Sequence, residues 1–462
     1  MIHAEAIRRT SPLVDERGLR SIARIADHPC APRWNRVAGD RLDADDVGAV
    51  EAFRDALARD RAPFGPEPAD GIKAWVRTRR AFVPSFRARV ADPSLLDRAW
   101  CAIATVNRED LAMRPEAFVP DDAPLDRMIV YRTAGTTGHA LLVPHDARAA
   151  ACYLPLLELA LSRWGVDARL GGDDVAMLVG AQARTVTYAT ALAVWSQAGF
   201  AKLNLARSEW RSEDAPARFF ADLAPALLTG DPISFAELVA RGVEVRPRAL
   251  VTTAVAMSDA LRSRLAAHFA APVVDWYSLT ETGPIGYACP RGTGAYHVVS
   301  HDLFVEALDP RGMGVRAGER GEIAVTGGRN PFLPLLRYRT GDWGRIDFAP
   351  CACGDPMPRI VDLEGRAPVL LRSARGGEVN PVDVSGVLRA YPIVQHELVQ
   401  HADLSCALAI RTMSRDPVNV AALEGELRAL FGDVPLVIRV DPSLGDRTGK
   451  VTPYRSELPF EE

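Results

Sequence analysis

Six residues, Thr133, Ala134, Gly135, Thr136, Thr137 and Gly138, form a run of small and hydroxyl side chains that follows the apolar pair Ile129 and Val130. Glycines let a backbone curl so that its N–H groups point inward, and threonine hydroxyls add donors, so such a run can hold a polyphosphate. It is not the usual P-loop, which needs Lys-Ser/Thr after its last glycine and then a helix. Here His139 follows, and 141–143 reads as extended. The same composition also suits a plain hairpin turn. Further along, Trp276, Tyr277, Thr280 and Glu281 cluster after a short apolar run. There Tyr277 could stack on a base, Thr280 could bond a phosphoryl oxygen and Glu281 could hold a hard divalent cation such as Mg²⁺; a structural turn with a surface glutamate is the plainer alternative. Asp342 follows Gly341, and an aspartate so placed can accept two hydroxyl hydrogen bonds, as a ribose would require, or simply complete a turn.

A second constellation is of another kind. Cys289 and His297 are followed much later by Cys351 and Cys353 on a Pro-rich stretch. Three thiolates and an imidazole make a closed tetrahedral set of the structural Zn²⁺ type, with no position left open for substrate. His301 could stand in for His297, or these could be free cysteines near a surface histidine.

These residues need elements to position them. Residues 1–60 read as mostly helical, with further helices at 72–81 and 94–102. A helix at 146–164 follows the opening loop. Short apolar strands then alternate with helices: strand 175–179, helix 187–198, strand 201–205, helix 214–226, strand 227–229, helix 233–240, strand 249–253, helix 257–268, strand 272–275. Such alternation predicts an α/β fold with a doubly wound, mostly parallel sheet, whose ligands sit at the carboxyl ends of strands. Tyr277 to Glu281 follow such an end. From 302 the pattern turns to short strands and turns (303–308, 321–326, 333–338), a β subdomain. Residues 1–363 are expected to form one large domain and 364–462 a small α+β domain. In the latter, strands at 369–371, 398–400, 406–411 and 436–440 accompany helices at 382–390 and 417–431.

Composition narrows the class. A formal charge of −4 over 462 residues gives no case for nucleic acid or an anionic membrane as partner. No apolar run reaches membrane-spanning length, and the N-terminus carries no signal-peptide pattern. Seven scattered cysteines, an odd number, argue for a reducing compartment, so a cytoplasmic enzyme is expected. Lysine is rare: Lys73, Lys202 and Lys450 stand against abundant arginine. Genomic base composition accounts for the bias, yet each lysine marks a place where a compact ammonium could be wanted.

In order along the chain, Thr133 to Gly138, Tyr277 to Glu281, Tyr338 to Asp342, Gly365 with Arg366, and Thr448 to Lys450 resemble the adenylate-forming superfamily of acyl- and aryl-CoA ligases. Chain length, the short N-terminal section and the run 335–339 are most similar to its phenylacetate–CoA ligase branch. The resemblance implies that Thr133, Ala134, Gly135, Thr136, Thr137 and Gly138 hold the β- and γ-phosphates of ATP. It implies that Tyr277 lies against adenine, that Thr280 and Glu281 serve the α-phosphate and Mg²⁺, and that Asp342 binds the ribose with Arg366 near the nucleotide. Lys450 would enter to stabilise charge between the acid and the α-phosphate, an electrostatic contribution of about 3 kcal/mol or more in a water-poor site. The implied reaction is attack of a carboxylate on the ATP α-phosphorus, giving acyl-AMP and pyrophosphate, then transfer of the acyl group to a thiol, usually CoA. A similar Cys…His…Cys-x-Cys set occurs in some phenylacetate–CoA ligase-like proteins, and analogy with those ligases admits a homodimer.

Two positions depart from the pattern. His139 stands where a lysine is usual, which removes a fixed charge and leaves phosphate binding to backbone N–H groups, Mg²⁺ and nearby arginines. Pro368 stands at the hinge position, and proline restricts both itself and its predecessor. Domain rotation for thioester formation would then have to turn about a neighbour such as Ala367. Transfer to a carrier protein or an amine is therefore the alternative to CoA, and a catalytically silent nucleotide sensor is a third reading. Ala181, Tyr188, Trp195 and Trp276 are the expected acid pocket, suited to an aromatic or medium apolar acid.

Overall fold

A computed structural model of the chain describes residues 4–59, 63–132, 141–181, 185–253, 257–291, 294–299, 302–365, 369, 371–413, 417–445 and 451–458. It is a mixed α/β structure that divides into two compact units, Met1–Gly39 with Leu170–Asp275 and Pro368–Glu462, and Asp40–Arg169 with Trp276–Ala367.

In the first unit the strands Ala198–Asn204, Val175–Gly180, Leu227–Gly230, Ala249–Thr252 and the start of Val273–Leu279 lie side by side in that order, all parallel. Their runs are apolar on both faces because helices cover such a sheet. The helix Glu16–Ala26 buries Gly18, Ser21, Ile22 and Ile25, a stripe at helical spacing, and Asp15 caps it by accepting the Gly18 N–H at 2.9 Å. Asp231 and Ser258 cap the helices Pro232–Ala240 and Asp259–Phe269 in the same way.

One expected element is of the wrong type. Residues 187–198, read as a helix, form the strand Tyr188–Leu192 and a 3₁₀ turn, Ala193–Trp195. The strand pairs antiparallel with Ala198–Asn204 at the sheet edge. Alanine favours a helix, but here Ala189 and Ala191 are buried beneath the helix Glu16–Ala26, and a Cβ on Gly18 would come within 3.2 Å of the Ala191 methyl. Small side chains let helix and strand approach closely, and tertiary packing overrides propensity. Similarly, 146–164 forms two helices, Ala147–Ala151 and Tyr153–Ser162, separated at Cys152.

The last section of this unit is a four-stranded sheet in the order Leu436–Val440, Cys406–Thr412, Ile393–Gln400, Tyr454–Ser456, with helices Pro381–Arg389 and Val420–Phe431. It has a core of its own around Leu371, Val384, Leu408, Leu423 and Phe431, while Val394 and Met413 belong to the core of the parallel sheet.

The second unit carries an antiparallel sheet: Leu303–Leu308, Arg320–Gly327, Leu335–Asp347, Arg359–Glu364, Ala295–Val298, Gly283–Ala288, then residues 276–279. A separate hairpin pairs Ile129–Arg132 with Leu142–His145. Leu335–Asp347 runs well past the expected end at 338. Within it Arg339 faces Ala324 but Trp343 faces Glu322, so 340–342 bulge out of the ladder. Asp342 is thus on a β-bulge within a strand, not on a terminal turn.

Candidate active site and Cys/His cluster

The bulge is pinned by its own polar groups. Thr340 donates to the Ile323 carbonyl at 2.8 Å and accepts the Asp342 N–H at 3.1 Å, while the Glu322 carboxylate accepts the Gly341 N–H at 3.1 Å. Gly341 has φ +83°, a left-handed conformation that favours glycine. So held, Asp342 accepts a hydrogen bond from the Tyr277 hydroxyl at 2.8 Å. Tyr277 lies in the strand Val273–Leu279, buried, with its ring edge-on to Tyr296.

The same strand ends just before Thr280, which is exposed, and Glu281, whose side chain is 5 % exposed. Glu281 Oε1 accepts the Tyr338 hydroxyl at 2.7 Å, and Arg108 Nη1 lies 3.8 Å from the same oxygen. Burial first, and then the adjacent carboxylates, push both phenols well above their ordinary range, so Tyr277 and Tyr338 remain donors at neutral pH. Two carboxylates, each steadied by a tyrosine hydroxyl, thus stand at one place in this unit. An ionised carboxylate offers acceptor oxygens only, the chemistry that a cation or a sugar hydroxyl requires.

Gly283 closes the turn after Glu281. Its φ is +67°, and an added Cβ would come within 2.5 Å of the Tyr153 hydroxyl. Tyr153 in turn lies 2.7 Å from His145 Nε2, at the end of the hairpin that brackets 133–140. The turn after Glu281 is therefore packed against Tyr153, which in turn is hydrogen-bonded to the strand Leu142–His145.

Not every predicted site residue can be placed. Thr133, Ala134, Gly135, Thr136, Thr137, Gly138, His139, Arg366, Pro368 and Lys450 lie outside the described residues, as does His301. Of the predicted acid pocket, Ala181, Tyr188 and Trp195 fall in the first unit and Trp276 in the second. Ala181 is half-buried and donates its N–H to Ser234 Oγ at 2.9 Å. Tyr188 is half-buried beside Phe200, whereas Trp195 and Trp276 are buried. Sequence reasoning assigned no role to Tyr338 or Arg108. Tyr338 begins the motif that runs to Asp342; Arg108 carries no signal in the sequence.

The Cys/His set is assembled by the same sheet. Cys289 follows the strand Gly283–Ala288, His297 lies on the neighbouring Ala295–Val298, and Cys351 and Cys353 sit on the loop before Arg359–Glu364. Their four ligand atoms all lie within 4.8 Å of one another. Cys289 Sγ and Cys351 Sγ are 3.6 Å apart, and Cys353 Sγ is 3.1 Å from His297 Nε2. Tetrahedral zinc, with bonds of about 2.0–2.3 Å to N and S, needs ligand separations of about 3.3–3.8 Å; the thiol pair at 3.6 Å meets this, and the Cys353–His297 pair at 3.1 Å would have to open slightly to admit an ion. The imidazole is oriented from behind: the Met357 carbonyl, 3.1 Å from His297 Nδ1, accepts a hydrogen bond from Nδ1–H in the tautomer that leaves the Nε2 lone pair toward the thiols. Asp355 N–H points at Cys353 Sγ at 3.4 Å, and the Asp355 carboxylate is itself held by Tyr287 and by Arg163 at 3.4 Å.

No family model matches the sequence. Over 191 residues the chain is 29% identical to phenylacetate-coenzyme A ligase of Thermus thermophilus, a match spanning 39% of this chain and 42% of that protein. Its fold is similar to that of 2-hydroxyisobutyryl-CoA ligase in the postadenylation state in complex with R3-HIB-AMP, with a TM-score of 0.61 at 16% identity over 88% of this chain and 90% of that one. An open conformation of the same ligase, in complex with 2-HIB-AMP and CoA, gives a TM-score of 0.52 at 15% identity over 88% and 92%. Over those 191 residues the chain is similar to phenylacetate-coenzyme A ligase, and its fold is that of 2-hydroxyisobutyryl-CoA ligase.

Proposed function

We propose that the protein is an acid–thiol ligase. It activates an aromatic or medium apolar carboxylic acid as acyl-AMP, with release of pyrophosphate, and passes the acyl group to CoA. The observation that carries this reading is the pair of tyrosine-steadied carboxylates, Glu281 and Asp342, in a chain of this fold. Asp342, accepting one hydrogen bond from Tyr277, has further lone pairs for ribose hydroxyls. Glu281 would hold Mg²⁺, which when bound offsets phosphate charge. Thr280, exposed beside it, can donate its hydroxyl to the α-phosphate. Thr133 to Gly138 would cradle the outer phosphates through backbone N–H groups, and Lys450 would meet the charge that builds between the attacking carboxylate and the α-phosphorus.

Ala181, Tyr188, Trp195 and Trp276 remain the proposed acid pocket, and residues 364–462 a small domain that brings Lys450 to the site, with Arg366 near the nucleotide. Cys289, His297, Cys351 and Cys353 would bind a structural Zn²⁺ that ties the loop before Arg359–Glu364 to two neighbouring strands. All four positions are filled by protein atoms, so this ion would take no part in the chemistry.

The test is acid-dependent ATP–pyrophosphate exchange over a panel of aryl and alkyl acids, followed by thioester formation with CoA. Exchange with at least one acid, and thioester from the same acid, is the expected result. No exchange with any acid would remove the ligase reading; exchange without CoA thioester would move the acceptor to a carrier protein or an amine.

A further inference from the structure

Arg108 has no place in the reading so far, yet the fold takes trouble to position it. It opens the helix Arg108–Met113, whose start is fixed by a capping box: Asn107 Oδ1 accepts the N–H groups of Glu109 and Asp110 at 2.8 and 3.1 Å, and Asp110 accepts the Asn107 N–H at 2.9 Å. The chain before it is fastened to the strand that carries Tyr338. Val106 donates to the Arg337 carbonyl at 3.2 Å and accepts the Arg339 N–H at 2.7 Å. The Arg337 guanidinium, fully buried, holds the carbonyls of Cys101, Ile103 and Gly312 at 2.9, 2.6 and 2.7 Å and pairs with Glu306 at 3.0 Å. Arg337 does so at φ +48°, a conformation costing about 1 kcal/mol or more for a side chain of this size.

The outcome is a guanidinium, 38 % exposed, whose Nη1 stands 3.8 Å from the Oε1 of a carboxylate that is 5 % exposed. That separation is a charge contact and too long for a hydrogen bond. The hydrogen bond to this oxygen comes from Tyr338, which is neutral and leaves the charge of Glu281 in place. A buried carboxylate needs a cation nearby. A half-exposed arginine held in charge contact meets that need from the solvent side.

We propose that Arg108 is the counter-cation of Glu281 in the nucleotide-free protein and a phosphate ligand in the loaded one. The inference rests on the reading that Glu281 takes the Mg²⁺ of Mg·ATP. A dication on Glu281 repels the guanidinium, and the nucleotide arriving with it brings anionic oxygens. Oxygens that share an octahedral Mg²⁺ lie about 3 Å apart, so a guanidinium within reach of the carboxylate is also within reach of a phosphate on the same ion. Its planar fork suits phosphate better than a point charge does. Arg108 would then supply some of the positive charge that His139 does not.

The proposal predicts two effects of opposite sign, which loss of a merely structural residue would not give. The metal alone competes with Arg108 for Glu281, so Arg108→Gln should bind Mn²⁺, titrated by electron paramagnetic resonance without nucleotide, about tenfold more tightly than the parent. The same variant should bind Mg·ATP about tenfold more weakly by calorimetry. Arg108→Lys, which keeps the charge without the fork, should leave Mn²⁺ affinity within about twofold while still losing ATP affinity. Unchanged or weaker Mn²⁺ binding in Arg108→Gln, or a gain in Arg108→Lys equal to that in the glutamine variant, would overturn the proposal. Glu281→Gln separates the two levels of inference. If it abolishes Mn²⁺ binding while Arg108→Gln changes nothing, the role of Arg108 alone falls. If it leaves Mn²⁺ binding intact, the assignment of Glu281 falls, and the proposal with it.

Discussion

Two sites stand at opposite ends of one short strand. Before Gly283–Ala288 comes Glu281, with Tyr338 and Arg108 around it; after it comes Cys289, with His297, Cys351 and Cys353. The first gathers hard oxygen acceptors steadied by neutral phenols and leaves Thr280 and Arg108 open to solvent. The second gathers three thiols and an imidazole, buries Cys289 and His297 and steadies the set with hydrogen bonds. On the proposed function, the contrast would separate a place for a ligand that comes and goes from a place filled once. Titratable residues in a cluster do not by themselves mark catalysis; what matters is whether capacity is left over after the protein has satisfied them.

Four measurements would break or sharpen that contrast. The largest effect is expected outside both clusters: Lys450→Ala should lower acid-dependent pyrophosphate exchange about 10²–10³-fold with the fold intact, the scale of a lost charge-stabilising donor. Unchanged exchange would remove Lys450 from the chemistry. At the sealed site, Cys353→Ser should yield protein without stoichiometric zinc by metal analysis. Its melting temperature should fall by roughly 5–10 °C, the shift that 2–3 kcal/mol makes in a domain of this size. If the parent protein purifies without zinc, the closed-site half of the comparison fails. At the open site, Asp342→Asn should raise KM for ATP about tenfold with little change in melting temperature, the size of one hydrogen bond to a charged group. Tyr338→Phe should have the smallest effect, about a three- to tenfold loss in exchange. A larger loss there than at Asp342 would mean that Glu281 depends on the phenol for more than orientation.

Much of this was legible in the sequence. The alternation of strand and helix from 175 to 275 was clear because both faces of a parallel sheet are covered and the strands become short apolar runs. The Cys/His set was legible because few residue types bind soft metals. Residues 188–192 were misread because an alanine-rich run carries helical propensity, while the reason for a strand lies in a helix of the N-terminal segment that needs a thin partner. Asp342 was singled out but its setting was not foreseen: a bulge is defined by the partner strand's register, which sequence spacing does not report. Arg108 was invisible for a related reason, since its position comes from hydrogen bonds between Val106 and a strand far along the chain.

The bulge at 340–342 also leaves the strand Leu335–Asp347 in the same alternation on its two sides. Arg339 and Trp343 are four residues apart, yet their partners, Ala324 and Glu322, are two apart. Both spacings are even, so residues on either side of the bulge keep to the same faces of the sheet, while 340–342 stand opposite the single position Ile323. A designer grafting the Thr340–Asp342 corner onto another barrel or sheet would have to carry the mismatch in register along with the three residues.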